Sequence, residues 1–274
     1  MSVTMRASLA RILLCAQPIQ QLPALPPLPA SLEAISSELL PQHLAVIMDG
    51  NARWASRQGL PKVKGHEAGV SSLRKLITSC ASLPPLETLT VYAFSAENFG
   101  RPAAEVRALF ELIESTLEAE ADELHLNGVC LAFVGDRRRL PSKLLALIER
   151  LETREPPIET RLLLCVALAY GGRQSVAAAA QSLAMRVRAG ELAPASIDAD
   201  ALADEIRRIG GGPPSDPDLV IRTGGQYRMS NFLTMESAYA ELCVQDCLWP
   251  DFGHDELASA LRDFSRRRRT HGIR

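Results

Sequence analysis

The run Leu44-Ala-Val-Ile-Met48 has no polar alternation and stops abruptly at Asp49-Gly50-Asn51-Ala52-Arg53-Trp54. An uninterrupted apolar run this short suits a strand buried on both faces, as in a parallel sheet covered by helices. The pattern recurs at 86–94, 129–134, 161–169, 219–221 and 240–245, each run followed by a polar or glycine-bearing loop. Between them lie helical periods through Val70–Cys80, Val106–Leu117, Leu140–Leu151, 174–189, 197–209 and 255–269. Strands alternating with helices predict an α/β fold, a single domain whose central, mainly parallel sheet has about six strands flanked by helices. The 274 residues and 47% hydrophobic content fit one such domain, spanning 42–274.

The termini carry different signals. Residues 1–41 read as a leader: Arg6 and Arg11 stand among Ser and Ala, no acid precedes Glu33, and 22–29 is proline-rich. That bias is expected of a transit peptide, and an untargeted flexible leader is equally consistent with it. No window reaches the ~18 apolar residues of a membrane helix. A net charge of -2 provides no general drive toward nucleic acid. Six cysteines, Cys15, Cys80, Cys130, Cys165, Cys243 and Cys247, lack zinc spacing and read as buried thiols. Arg266–Arg269 suits a solvated helix end or a partner contact.

The chemistry concentrates at strand ends. In open α/β sheets ligands sit beyond the carboxyl ends of the strands, where Asp49–Arg53 falls. Gly50 permits close backbone approach, and Arg53 offers a fork of donors that matches phosphate. Asp49 would repel such a ligand without an intervening divalent cation, which makes Mg2+ the natural inference. An Asx-type turn explains the same Asp-Gly-Asn. Two other strand ends, Ser95-Ala-Glu97-Asn98 with Arg101 and Arg222-Thr-Gly-Gly with Arg228 and Ser230, converge on the same edge of a parallel sheet. Guanidiniums gathered there call for an anion such as a diphosphate. His66 suits a helix cap as well as a phosphate contact, and Glu241, inside an apolar stretch, needs a cationic partner. The absence of GxxxxGK[ST], GxGxxG, DDxxD, HExxH and GxSxG argues against several other chemistries.

The ordered stretches HLAVIMDGNARWA, GHEAG, YAFSAENFGRP, LAYGGR, DLVIRTGGQYRMSNF, AYAEL and LWPDF resemble the cis-prenyltransferases over about residues 42–272. The resemblance implies Mg2+-dependent condensation of isopentenyl diphosphate with an allylic diphosphate (farnesyl, geranylgeranyl or shorter) to a Z-polyprenyl diphosphate. It implies Asp49 as a catalytic metal ligand, Glu241 as the second acid linked to metal, and Asn98 as the group near the departing proton. Gly50, Asn51, Ala52, Arg53, Trp54, Arg57 and His66 would hold the allylic substrate; Ser95, Glu97, Phe99 and Arg101 would flank Asn98. Arg222, Arg228 and Ser230 would form the isopentenyl diphosphate pocket. An apolar tunnel for the prenyl chain is expected between the helices at 67–80 and 102–127.

The chain departs from the family's usual pattern at Phe99 for Trp, Lys62 for Arg, Gln226 for Glu, Thr234-Met235 for Leu-Trp, and a tail Arg269-Thr-His-Gly272 longer by one residue. The resemblance implies a homodimer, a heteromer and peripheral membrane contact being further arrangements. The leader points to a plastid, with the cytoplasm or the endoplasmic reticulum surface as alternatives. A non-catalytic accessory subunit of a heteromeric cis-prenyltransferase is the competing reading.

Overall fold

The computed structural model describes residues 25–157 and 159–268. Arg6, Arg11, Cys15 and the tail Arg269–Gly272 lie outside the described residues. The elements, in order, are α1 (Ala30–Glu33), β1 (His43–Ile47), α2 (Asn51–Arg57), α3 (Lys62–Ala81), β2 (Thr88–Ser95) and α4 (Ala103–Leu126). They continue with β3 (Val129–Val134), α5 (Ser142–Glu152), β4 (Leu162–Tyr170), α6 (Gly172–Arg188), α7 (Ala199–Arg208), β5 (Leu219–Arg222), β6 (Glu241–Val244) and α8 (His254–Arg266).

The six strands form one sheet in the order β3-β4-β2-β1-β5-β6, and every neighbouring pair is parallel. All five residues of β1 are buried because both its faces are covered. Leu44 and Val46 enter a large core with α1, α3, α4, α5 and α8, while Ala45 and Ile47 meet Tyr170, Phe232 and Leu233 on the opposite face. Helix α5 shows how the pattern works, burying Leu144, Leu147 and Ile148 at helical spacing. On the second side, α6 and α7 are clipped together where buried Glu205 accepts from Arg186 and Arg208. Among the described residues no helix is long and apolar enough to cross a membrane.

Strand order reverses direction at β1: β2, β4 and β3 extend to one side, β5 and β6 to the other. The crevice at such a switch point is where a doubly wound sheet receives ligands, so the fold places Asp49 at its mouth.

Three local readings change. The stretch 51–57 is a helix rather than a loop, and α3 starts at Lys62, ahead of the helical period that is legible from Val70. Gly65 allows this, because a Cβ there would stand 2.0 Å from the Asn51 carbonyl oxygen, so only glycine lets α2 and α3 touch. The packed core also begins before residue 42: Leu32 is fully buried, Leu40 nearly so, and Arg262 donates to the Ser31 carbonyl at 3.2 Å. Leu28, Leu32, Ile35 and Leu40 join the same core as Leu257, Leu261 and Phe264 of α8.

Candidate active site

After β1 the backbone turns sharply, and Gly50 at φ 118° lets it pass Leu248 at contact distance. The Asp49 carbonyl accepts from Thr223 Oγ1 at 2.7 Å and from the Trp249 backbone N–H at 3.0 Å. Trp249 in turn donates its indole N–H to the Gly69 carbonyl at 2.9 Å, tying the turn to α3. These bonds fix the backbone and leave the carboxylate to face the edge.

That carboxylate stands between two guanidiniums. Arg53, one helical turn along α2, donates to Asp49 Oδ1 at 3.2 Å and to the Gly224 carbonyl at 2.8 Å. Arg222, at the end of β5, donates to Asp49 Oδ2 at 2.8 Å and to Ser230 Oγ at 2.7 Å, and also to the Arg228 carbonyl. Arg222 is buried, and its Nε has no hydrogen-bond partner, as does the buried Asn51 Oδ1 beside α3. A buried donor left open beside the Asp49 carboxylate, as Arg222 Nε is, points to a polar ligand or water. The repulsion expected of gathered arginines is therefore met by Asp49, and an anion arriving here would meet donors already oriented.

Around this bracket the other expected residues divide. Asn98 and Ser95 form a reciprocal cap at the end of β2: Asn98 Oδ1 accepts from the Ser95 N–H at 3.0 Å, and Ser95 Oγ from the Asn98 N–H at 3.2 Å. Glu97 accepts from Asn231 Nδ2 at 2.8 Å, which joins the loop after β2 to the loop after β5. Arg101 pairs with Glu105 at 3.1 Å, and Lys62 reaches the same carboxylate at 3.4 Å. Burial, and then the charge of Arg101, hold the His66 imidazole below its usual pKa. Arg228 lies exposed with its guanidinium on Gln226 at 2.6 Å. Trp54 donates to Asp251 at 2.7 Å, Ala52 sits half-buried on α2, and Arg57 is exposed on that helix. Phe99 packs on Phe94 and Phe110, ring centroids 4.9 and 5.9 Å away.

Glu241 is not brought to Asp49 within the chain. Its register partner is Leu219, itself level with Leu44, so Glu241 lies five positions before Asp49 along the strands. At the rise of a strand that is about 16–17 Å. The cation it required is Arg267, at 2.7 Å. Among the described residues no three His, Cys, Asp or Glu side chains gather to hold a metal. A lone carboxylate among phosphate-binding donors fits Mg2+, which usually takes one or two carboxylates with substrate phosphates and water.

Sequence reasoning missed two structural hubs. Asn231, at φ 64°, bonds Glu97, Gln174 and the Arg173 N–H, and Trp249 anchors the Asp49 turn. Both lie in quoted motifs, but nothing local distinguishes a side chain that bridges distant loops.

Residues 47–272 match the prenyltransferase family model described as that of undecaprenyl diphosphate synthase. That span begins at the end of β1 and so includes the whole bracket of Asp49, Arg53 and Arg222. The chain belongs to the cis-prenyltransferase family. The ditrans,polycis-undecaprenyl-diphosphate synthase ((2E,6E)-farnesyl-diphosphate specific) of Pseudomonas aeruginosa is 46% identical over 233 residues, 85% of this chain and 91% of that one. An isoprenyl transferase of Prochlorococcus marinus is 44% identical over 247 residues, 90% of each chain. The crystal structure of lavandulyl diphosphate synthase from Lavandula x intermedia, in complex with dimethylallyl diphosphate, has a TM-score of 0.79 at 32% identity, covering 86% of this chain and 99% of that one. This cis-prenyltransferase is thus a transferase of prenyl groups.

Proposed function

We propose that the chain condenses isopentenyl diphosphate with an allylic prenyl diphosphate, in the presence of Mg2+, to lengthen it to a Z-polyprenyl diphosphate. The observation that carries this is the Asp49 carboxylate held between Arg53 and Arg222 at the mouth of the switch-point crevice. Arg53, with Gly50, Asn51 and Ala52, receives the allylic diphosphate, and Arg222, Arg228 and Ser230 receive isopentenyl diphosphate. Asp49 would hold Mg2+, which when bound would supply charge neutralisation for the leaving diphosphate. Oriented guanidiniums favour departure of that diphosphate because its negative charge grows as the C–O bond breaks. The homoallylic alkene then attacks, and a proton leaves beside Asn98. The growing chain passes between α3 and α4, where Leu73, Leu109 and Ile113 are partly buried against the core.

The same reading takes the working form as a homodimer, a heteromer and peripheral membrane contact being further arrangements. Tyr227 and Tyr239, 81% and 78% exposed near the edge strand β6, support a subunit contact. Light scattering that finds only monomer would remove it. Plastid residence rests on the basic, acid-free bias of residues 1–32 alone.

The full-length chain, incubated with labelled isopentenyl diphosphate, Mg2+ and dimethylallyl, geranyl, farnesyl or geranylgeranyl diphosphate in turn, should yield metal-dependent Z-products. Asp49→Ala should yield none. A folded wild-type protein that extends no primer would sink the proposal.

A further inference from the structure

Three consecutive arginines, Arg137, Arg138 and Arg139, follow β3 on the same sheet edge as Asp49. Two are held by carboxylates: Arg137 is bidentate on Glu152, with both bonds at 2.7 Å, and Arg138 pairs with Asp136 at 2.8 Å. Arg139 makes no salt bridge among the described residues, its charge reaching Asp136 only at longer range, and its guanidinium carbon lies 3.7 Å from the centroid of the Phe99 ring. Phe99 immediately follows Asn98. Its ring packs on buried Phe94 and Phe110, and exposed Arg139 lies over its face.

Asn98 has already committed its side-chain oxygen Oδ1 and its backbone N–H to the cap with Ser95. The direction of its remaining amide group therefore follows the orientation of the turn 96–100 as a whole. Two contacts on Phe99 restrain that turn, the aromatic cluster from within and the guanidinium from without. A guanidinium is weakly hydrated and stacks on a ring without surrendering the donors at its rim.

We propose that Arg139 is a positioning residue for the condensation: by stacking on Phe99 it holds the turn that presents Asn98 and closes the outer wall at the mouth of the apolar layer. This rests on the function proposed above. Arg139 touches no reacting atom in this account, so its loss slows turnover rather than weakening the hold on diphosphate.

The test compares wild type, Arg139→Gln and Arg139→Lys in the full-length chain, measuring kcat and the KM of each diphosphate. In parallel, Phe99→Trp is combined with each residue at 139 and acrylamide quenching of the introduced indole is taken as the difference from the matching Phe99 protein, which subtracts Trp54 and Trp249, a readout independent of activity. Arg139→Gln should lower kcat about two- to five-fold, the range of an exposed cation–π contact, with both KM values within about two-fold. Quenching of the indole should rise, and Arg139→Lys should fall between the other two. Unchanged kcat, or unchanged quenching, would overturn the positioning role. A raised KM for isopentenyl diphosphate at constant kcat would also overturn it, by making Arg139 a phosphate contact. An inactive wild type would remove the condensation itself, and this proposal with it, which is distinguishable from an active wild type indifferent to residue 139.

Discussion

Arg222, only 3% exposed, donates to the Asp49 carboxylate at 2.8 Å and so brings the ends of β5 and β1 together across the switch point. The bond supports the fold and, on the proposed function, also holds the metal-binding carboxylate in place. These roles separate in Asp49→Asn, which keeps the shape and an acceptor but removes the charge. The lost charge-assisted bond costs about 1.5–3 kcal/mol, and at about 2–4 °C per kcal/mol for a domain of this size the melting temperature should fall by less than about 12 °C. Turnover should fall on the order of 100- to 1000-fold, as when an electrostatic group of a polar transition state is removed. Thermal melts and product assays on the same preparation check both.

Gly65 faces the Asn51 carbonyl oxygen, and an added Cβ would lie 2.0 Å from it. Gly65→Ala must therefore push α3 off α2, at a cost of about 1–3 kcal/mol for overpacking. The Arg53 side of the bracket rides on α2, so the KM for the allylic substrate should rise as the melting temperature drops. Gly100→Ala, where nothing stands within 4 Å of the new atom, is the stability control. Equal melting temperatures for the two variants would show that the helices do not need this contact.

Ser95 and Asn98 cap each other. Ser95→Ala removes the acceptor of the Asn98 N–H and costs about 1 kcal/mol of local stability. The turn should loosen while the sheet persists, lowering kcat about five-fold, the rate equivalent of that energy. Steady-state kinetics beside an unchanged far-ultraviolet dichroism spectrum would show it; unchanged kcat would separate the cap from catalysis.

His43 sits almost fully buried at the start of β1, between Thr90 Oγ1 at 2.7 Å and Ser215 Oγ at 3.1 Å. Burial lowers its pKa from 6.5 to about 4, against the raising influence of Asp216, Ser215 and Asp218. Because the folded value lies below the unfolded one, the unfolded chain gains the proton first as pH falls. The stability this histidine contributes as a neutral group is full above pH 6.5 and declines as the pH drops toward about 4. The difference between those two pKa values corresponds to about 3 kcal/mol. Urea midpoints at pH 7 and pH 4.5 should differ more for wild type than for His43→Gln, whose side chain does not titrate. Equal differences would rule out this source.

The alternation of apolar runs with helical periods was enough for the parallel α/β sheet, because a strand covered on both faces has no polar face to display and a helix shows its buried stripe. Asp49, Arg53, Asn98, Arg222 and Ser230 were also legible as strand-end residues of ligand-binding type. The start of α3 was not: Gly59, Pro61 and Gly65 read as breakers, yet Gly65 is helical because Asn51 occupies the space a side chain would take. The inner limit of the leader failed for a similar reason. Leu32 and Leu40 look like scattered apolar residues until the body of the domain provides the surface they cover.

By itself the sequence determined which side chains stand at the ends of which strands, since that depends on local hydrophobic period and on residue type. Only the tertiary structure decided their partners. Asp49 lies between Arg53 and Arg222 because β1 and β5 are adjacent in the sheet, and Glu241 goes to Arg267 because β6 presents its first residue at the far edge. Arg139 meets Phe99 across an interval of 40 positions, where chain-local pattern carries no information. Strand register and helix docking set those distances, and both arise from how separate apolar faces pack together.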